Sequence, residues 1–348
     1  MSTLFMVKAL FTLTKQAICL VVFTTMLFSS YIQANEVNVY SYRQPFLVQP
    51  IFDEFTKQTN IKVNVVFAKK GLSERLVREG KNSPADLVFT VDIGRLSDVV
   101  NKDVVQSVSS DILSRNIPAQ YRDPDGKWFG LTTRTRSIYA SKDRADLSQI
   151  QSYEDLANPE WKGKICTRSG KHPYNLGLIA SMISHHGETK TVEWLKGVKS
   201  NLARKPQGND RAQVKAIKEG VCDLSLGNNY YYGKMINDKD QFEWANAVHL
   251  TFPNQNNRGT HVNISGMALT KSAPNKANAI KLMEFLTEEF AQSMYAEQNY
   301  EYPINPNVTP SKLVQSWGTF KVDSLALKDI SKNRKLAAKL VDQVAFDD

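Results

Sequence analysis

The chain has little of what most metal and catalytic sites are built from. It carries three cysteines and five histidines in 348 residues. No CxxC or HxxxH spacing occurs, which removes the common zinc ligand sets. GxSxG and HExxH are absent, and no Ser/His/Asp order points to a secreted hydrolase. The chain is therefore not expected to be an enzyme, and an adhesin or structural exoprotein has no support. There is no long Lys/Arg run and no zinc-finger or RNA-recognition signature. The formal charge of +9 thus fits an anionic ligand without naming nucleic acid as a partner. Beyond residue 34 no run of eighteen apolar residues occurs, so no spanning helix is expected there. Internal repeats and low-complexity linkers are missing too.

What is present begins with an export signal. Residues 1–34 hold Lys8 and Lys15, no acid, an apolar run from Ala17 to Phe28, and Ala34 at the close. This pattern predicts a secretory signal peptide cut after Ala34, with an uncleaved anchor as the alternative. Cleavage lowers the formal charge of +9 by two. Cys19 falls inside that segment, leaving Cys166 and Cys222. Two cysteines in an oxidising compartment commonly pair. Each lies at an edge of an expected strand, Lys164–Thr167 and Val221–Leu226, and neighbouring strands would bring them together. Two buried free thiols are the alternative.

Strand and helix patterns alternate along the rest. Glu36–Ser41, Ile61–Phe67 and Asp86–Thr90 read as strands. Phe46–Thr56, Leu72–Arg78 and Ile93–Asn101 read as helices, the last capped by Asp92. Further on, Trp128–Thr133, Ser137–Ala140, Val248–Thr251 and Val262–Leu269 are strand-like. Pro173–His185, Glu188–Asn201, Asp210–Glu219, Ala277–Glu289, Ala291–Gln298 and Arg334–Val344 are helical. The order argues for α/β lobes with parallel pairings, joined by strands rather than by a tether. Ligands in such sheets bind outside the strand C-termini.

The most distinctive local feature is Gly227-Asn228-Asn229-Tyr230-Tyr231-Tyr232. A strand that ends in Gly-Asn-Asn and opens into Tyr230–Met235 predicts a helix start with Asn as N-cap. The phenols would then lie where the helix dipole favours the ionised form. Tyr174 follows Pro173, which also suits a first helical turn. A phenolate is a hard anionic oxygen, suited to a small and highly charged cation such as Fe³⁺. A packed surface or a sugar-stacking platform is the bland alternative.

The order of motifs resembles the periplasmic ferric-ion-binding proteins of iron ABC transporters, most of all the cyanobacterial-type iron-uptake proteins. The matching stretches are Val39-Tyr40-Ser41-Tyr42-Arg43, Ser83-Pro84-Ala85-Asp86, Thr90-Val91-Asp92-Ile93-Gly94-Arg95-Leu96, Arg134-Thr135-Arg136, Tyr174-Asn175, Gly227-Asn228-Asn229-Tyr230-Tyr231 and Arg258-Gly259-Thr260-His261-Val262-Asn263-Ile264-Ser265-Gly266. The resemblance implies a two-lobed type II periplasmic binding protein with crossover hinge strands. Lobe one would be 35–133 with 262–308, and lobe two 134–261 with 309–348. It implies Fe³⁺ held by Tyr174, Tyr230 and Tyr231, with Tyr232 packing away. An arginine would face a synergistic anion such as carbonate, Arg136 before Arg134 and Arg43 last. Where many members have a His, or His-Tyr, this chain has Gln44-Pro45. Where some have a Glu it has Val91, so water or the anion would complete the shell. Gln44 and His172 are candidates for a place behind the ligands, with a solvated loop position the stronger expectation for His172, while His261 packs or hydrogen-bonds. A monomer that hands its cargo to an inner-membrane permease follows from the same resemblance. A small oxyanion or a polyamine is the alternative cargo.

Overall fold

A computed structural model describes residues 35–348, and the expected signal segment lies outside the described residues. Ten strands follow in order: β1 Glu36–Ser41, β2 Lys62–Phe67, β3 Leu87–Thr90, β4 Val105–Gln106, β5 Phe129–Ser141, β6 Ile165–Cys166, β7 Leu224–Asn228, β8 Val248–Thr251, β9 Val262–Thr270 and β10 Tyr302–Pro303. Their hydrogen-bonded order is β2-β1-β3-β9-β5-β7-β6, with β4 on β9 and both β8 and β10 on β5. β1 runs parallel to β2 and β3, as expected from the β-α-β-α-β order of the first stretch.

β5 unites the two lobes. Its first half pairs antiparallel with β9, from Phe129 to Thr135. Its second half leaves β9 and pairs with β7 and β8, from Arg136 onward. All thirteen residues are buried, so the strand cannot present a solvated face anywhere along its length. The sequence suggested two short strands here. The Arg-Thr-Arg between them breaks the apolar pattern, but both arginines are buried and the strand runs through.

Apolar packing anchors each half. Phe52 meets Phe89 edge-on at 5.6 Å, and Phe55 packs on Phe285 at 5.3 Å, all four buried under the first sheet. Burying such a side chain contributes roughly 1.5–3 kcal/mol. In the second half Tyr139, Val214, Ile217 and Met235 form a smaller cluster around the Cys166–Cys222 disulfide. Parallel pairing of β6 with β7 sets those two cysteines side by side, as anticipated.

The two expected helices from Pro173 form one run, Pro173–Ser200, interrupted at Gly187. There φ is +78° and ψ 173°, a conformation open to glycine and strained for other residues. The C-terminal helix Arg334–Gln343 packs on this run. The preceding helix Leu327–Lys332 touches both that run and Ile93–Asn101. Asp92 caps Ile93–Asn101 as foreseen, accepting from the Arg95 amide at 3.2 Å. No helix of the described residues is long and apolar enough to cross a membrane.

Candidate metal centre between the lobes

A cavity of about 540 Å³ opens at the C-terminal ends of the parallel strands. From the first half it is lined by Tyr42, Arg43 and Gln44 after β1, Lys69 after β2 and Val91 after β3. From the second it is lined by Arg168, His172 and Tyr174 after β6, and by Tyr230 and Tyr231 after β7. Position relative to the strands is the rule for open α/β sheets.

The tyrosines converge. The hydroxyls of Tyr174 and Tyr230 lie 3.2 Å apart, although 56 residues separate them. The rings of Tyr230 and Tyr231 are 4.3 Å apart between centroids. Tyr232 points away and packs near Tyr139 and Trp317, at 6.4 and 5.8 Å. Among the described residues no group of three or more His, Cys, Asp or Glu could hold a metal ion.

One buried ion pair fixes both tyrosine-bearing helix starts. Arg136 Nη1 donates to Asp210 at 2.6 Å and to Asn228 Oδ1 at 3.1 Å; its Nη2 donates to Asn175 at 2.6 Å. Asn175 adjoins Tyr174, and Asn228 lies two residues before Tyr230. Asp210 also accepts from the Asn228 amide at 3.0 Å and pairs with Arg168 at 3.2 Å. Burial pushes the Asp210 carboxyl up, but Arg136 and Arg168 outweigh it and hold it below its ordinary value. The sequence favoured Arg136 as the leading anion contact. Its guanidinium is instead committed to Asp210, Asn228 and Asn175, and it does not line the large cavity. Arg43 is likewise taken up, by Glu301 at 2.6 Å. Arg134 lines the cavity and is buried, and its Nε and Nη1 have no hydrogen-bond partner.

Two local expectations are corrected. Asn229 does not cap the helix Tyr230–Ile236 through its side chain. Its Oδ1 accepts instead from the Thr135 amide of β5 at 2.9 Å, so it ties the turn to the shared strand. Nor are the phenols poised as phenolates by the helix start. Burial pushes Tyr230 well above the ordinary phenol value, and repulsion from Tyr174 and Tyr231 adds to it. Burial raises Tyr231 as well, again with Tyr174 adding. Desolvation outweighs the dipole of a helix of seven residues.

His172 packs edge-on against Tyr174, with ring centroids 4.6 Å apart, and its Nδ1 accepts from the Tyr174 amide at 3.3 Å. Burial, then Arg168, lowers it to about 3, so it is a neutral cap at the site rather than a solvated loop residue. Gln44 lines the cavity and is exposed. His261 is buried, as expected, but neither ring nitrogen finds a partner.

Sequence reading missed Arg168, Arg211, Lys234, Arg95 and Glu301 of the lining. Arg95 sits in a quoted motif but was given no role there; the other four stand in none of the quoted motifs. Together the wall holds seven Lys and Arg side chains against one carboxylate, Glu301. Burial pushes Glu301 up, but Arg43 and then Arg134 hold it below its ordinary value. Such a wall attracts oxyanions and does not favour a polyamine as cargo.

A cleft at the strand ends between two α/β halves that share crossover strands defines a two-lobed solute-binding protein. The chain belongs to the family described as bacterial extracellular solute-binding protein, whose model matches residues 82–322. It is 42% identical over 317 residues to iron uptake protein A1 of Synechocystis, covering 90% of this chain and 88% of that one. Among solved structures it is similar to the apo ferric ion-binding protein A of Pasteurella haemolytica, with 57% identity and a TM-score of 0.87. That match covers 90% of this chain and 99% of the other. A Trichodesmium protein solved with iron and citrate ligands is 42% identical, with a TM-score of 0.85 and coverage of 89% and 99%.

Proposed function

We propose that this protein captures ferric iron between its lobes in the periplasm and delivers it to an inner-membrane ABC permease. The observation that carries the reading is the convergence of Tyr174 and Tyr230 hydroxyls at 3.2 Å, with Tyr231 beside them. Without a cation these two half-buried hydroxyls share one hydrogen bond, and Tyr174 adds to the cost of ionising Tyr230. A bound trivalent cation reverses the sign: three phenolates neutralise it and share it as hard ligands. Names of similar proteins, iron uptake protein A1 and ferric ion-binding protein A, support the same cargo.

Arg134 is the anion contact in this reading. Its Nε and Nη1 are buried without a hydrogen-bond partner, and its fork suits a planar oxyanion such as carbonate or a carboxylate of a chelator. With Gln44 and Val91 on the first lobe, that oxyanion and water fill the remaining coordination positions. The lobes, 35–133 with 262–308 and 134–261 with 309–348, close by bending at the shared strands. Purified protein mixed with ferric citrate should turn orange-red from phenolate-to-iron charge transfer. A colourless sample with no bound iron would overturn the assignment in favour of an oxyanion as cargo.

A further inference from the structure

Next to the main cleft, and sharing Tyr174 and Arg134 with it, lies a much smaller space of about 10 Å³. Its walls are Arg134, Arg136, Tyr174, Asn228, His261 and Asn263, from β5, β7, β9 and the start of the helix Pro173–Ser200. That volume holds one water-sized particle.

The wall is made almost entirely of donors. Arg134 Nε and Nη1 and Arg136 Nε are buried and unpartnered. So are the amide nitrogens of Asn228 and Asn263. Neither amide can be turned round. Asn228 Oδ1 already accepts from Arg136, and Asn263 Oδ1 accepts from the amides of Ile93 at 3.0 Å and Ile264 at 2.8 Å. Each NH₂ is therefore left as a donor. The helix closes over this wall at Gly177, where a Cβ would lie 3.0 Å from Asn263 Nδ2 and 3.3 Å from His261 Nε2.

A water molecule serves such a site poorly. It offers two lone pairs to at least four donor groups, and its own two O–H bonds find one acceptor, a nitrogen of neutral His261. Charge argues the same way. Arg43 and Arg134 have only Glu301 near them, while Arg136 and Arg168 share Asp210. An excess of buried cationic charge is strongly unfavourable unless an anion accompanies it. The local field is felt by His261, which burial, then Arg136 and Arg134, lower to about 3.

We propose that this space binds a single monatomic anion of halide size, held by Arg134 and the amides of Asn228 and Asn263 beside Tyr174. The ion joins β9 to β5 near the point where β5 leaves one sheet for the other. It thereby fixes Arg134, which lines both cavities. Arg134 and Tyr174 are shared with the proposed iron site, so the anion is tested in the iron-free protein.

The test uses iron-free, full-length mature protein with bromide as the probe. Crystals in sodium bromide should show an anomalous peak inside this cavity. In solution, replacing gluconate by bromide at fixed ionic strength should raise the unfolding temperature saturably. At bromide one hundred times its dissociation constant the folding equilibrium shifts by about 100-fold. Asn263→Asp keeps the acceptor oxygen and supplies an internal anion, so its unfolding temperature should no longer respond to bromide. Should that variant fail to fold, Gly177→Ala, which crowds the same amide, should weaken the response. Equal unfolding temperatures in bromide and gluconate for the unaltered protein, with no anomalous peak in the cavity, would overturn the proposal.

Discussion

Tyr231→Phe removes one phenol oxygen from the site and almost nothing else. Ionising a phenol of ordinary pKa, about 10, at pH 7 costs about 4 kcal/mol. Three such groups subtract about 12 kcal/mol from intrinsic iron–phenolate binding, and burial at Tyr230 and Tyr231 subtracts more. Because three protons leave when iron enters, apparent affinity should rise roughly 1000-fold per pH unit below the phenol values. Tyr231→Phe should lower this to roughly 100-fold per unit, since two protons remain to be released. Affinity itself should fall by several orders of magnitude, as a −3 ligand set becomes −2. Stability should drop by only about 1 kcal/mol, the worth of the hydrogen bond shared with Tyr230. The assay is competition against a chelator at several pH values, with free ferric ion buffered and the charge-transfer band as readout. Tyr232→Phe is the control, because that ring packs near Tyr139 and Trp317 away from the cavity. An unchanged pH slope in Tyr231→Phe, or an equal loss in Tyr232→Phe, would refute the ligand assignment.

Asp210→Ala leaves Arg136 and Arg168 without their shared carboxylate and should destabilise the fold by about 3–5 kcal/mol, read by denaturant unfolding. It should also broaden the charge-transfer band, because both tyrosine-bearing helix starts lose their common anchor. Removing the disulfide with Cys166→Ser and Cys222→Ser together frees a loop of sequence separation 56, costing about 4 kcal/mol on a chain-entropy model. Comparing unfolding midpoints of the double variant and the oxidised protein checks this. His261 titrates near 3 when folded and near 6.5 when unfolded. The unfolded chain therefore binds the extra proton between those values, and stability falls as pH falls through that window. From pH 6.5 to 5 the loss due to this residue is about 2 kcal/mol, and His261→Gln should flatten that part of the stability–pH curve.

Much of the architecture was legible because it is local. Period-2 and period-3.6 patterns located β1, β8 and the helix Ile93–Asn101 with its Asp92 cap, since hydrophobic spacing and capping chemistry act over a few residues. The three tyrosines were also legible, each set at the start of a helix after a strand. Only the tertiary structure could decide among the arginines. Arg134, Arg136 and Arg43 are equivalent as sequence, but their fates depend on carboxylates far along the chain. Asp210 takes Arg136 across 74 residues and Glu301 takes Arg43 across 258. Protonation was non-local as well: a helix start favours phenolate, yet burial beneath two lobes and crowding by other phenols favour the neutral form. The sequence by itself determined which side chains are available and on which elements they ride. The tertiary structure decided which of them are spent on one another and which remain free for a ligand, because pairing and desolvation depend on distances that only the folded chain sets.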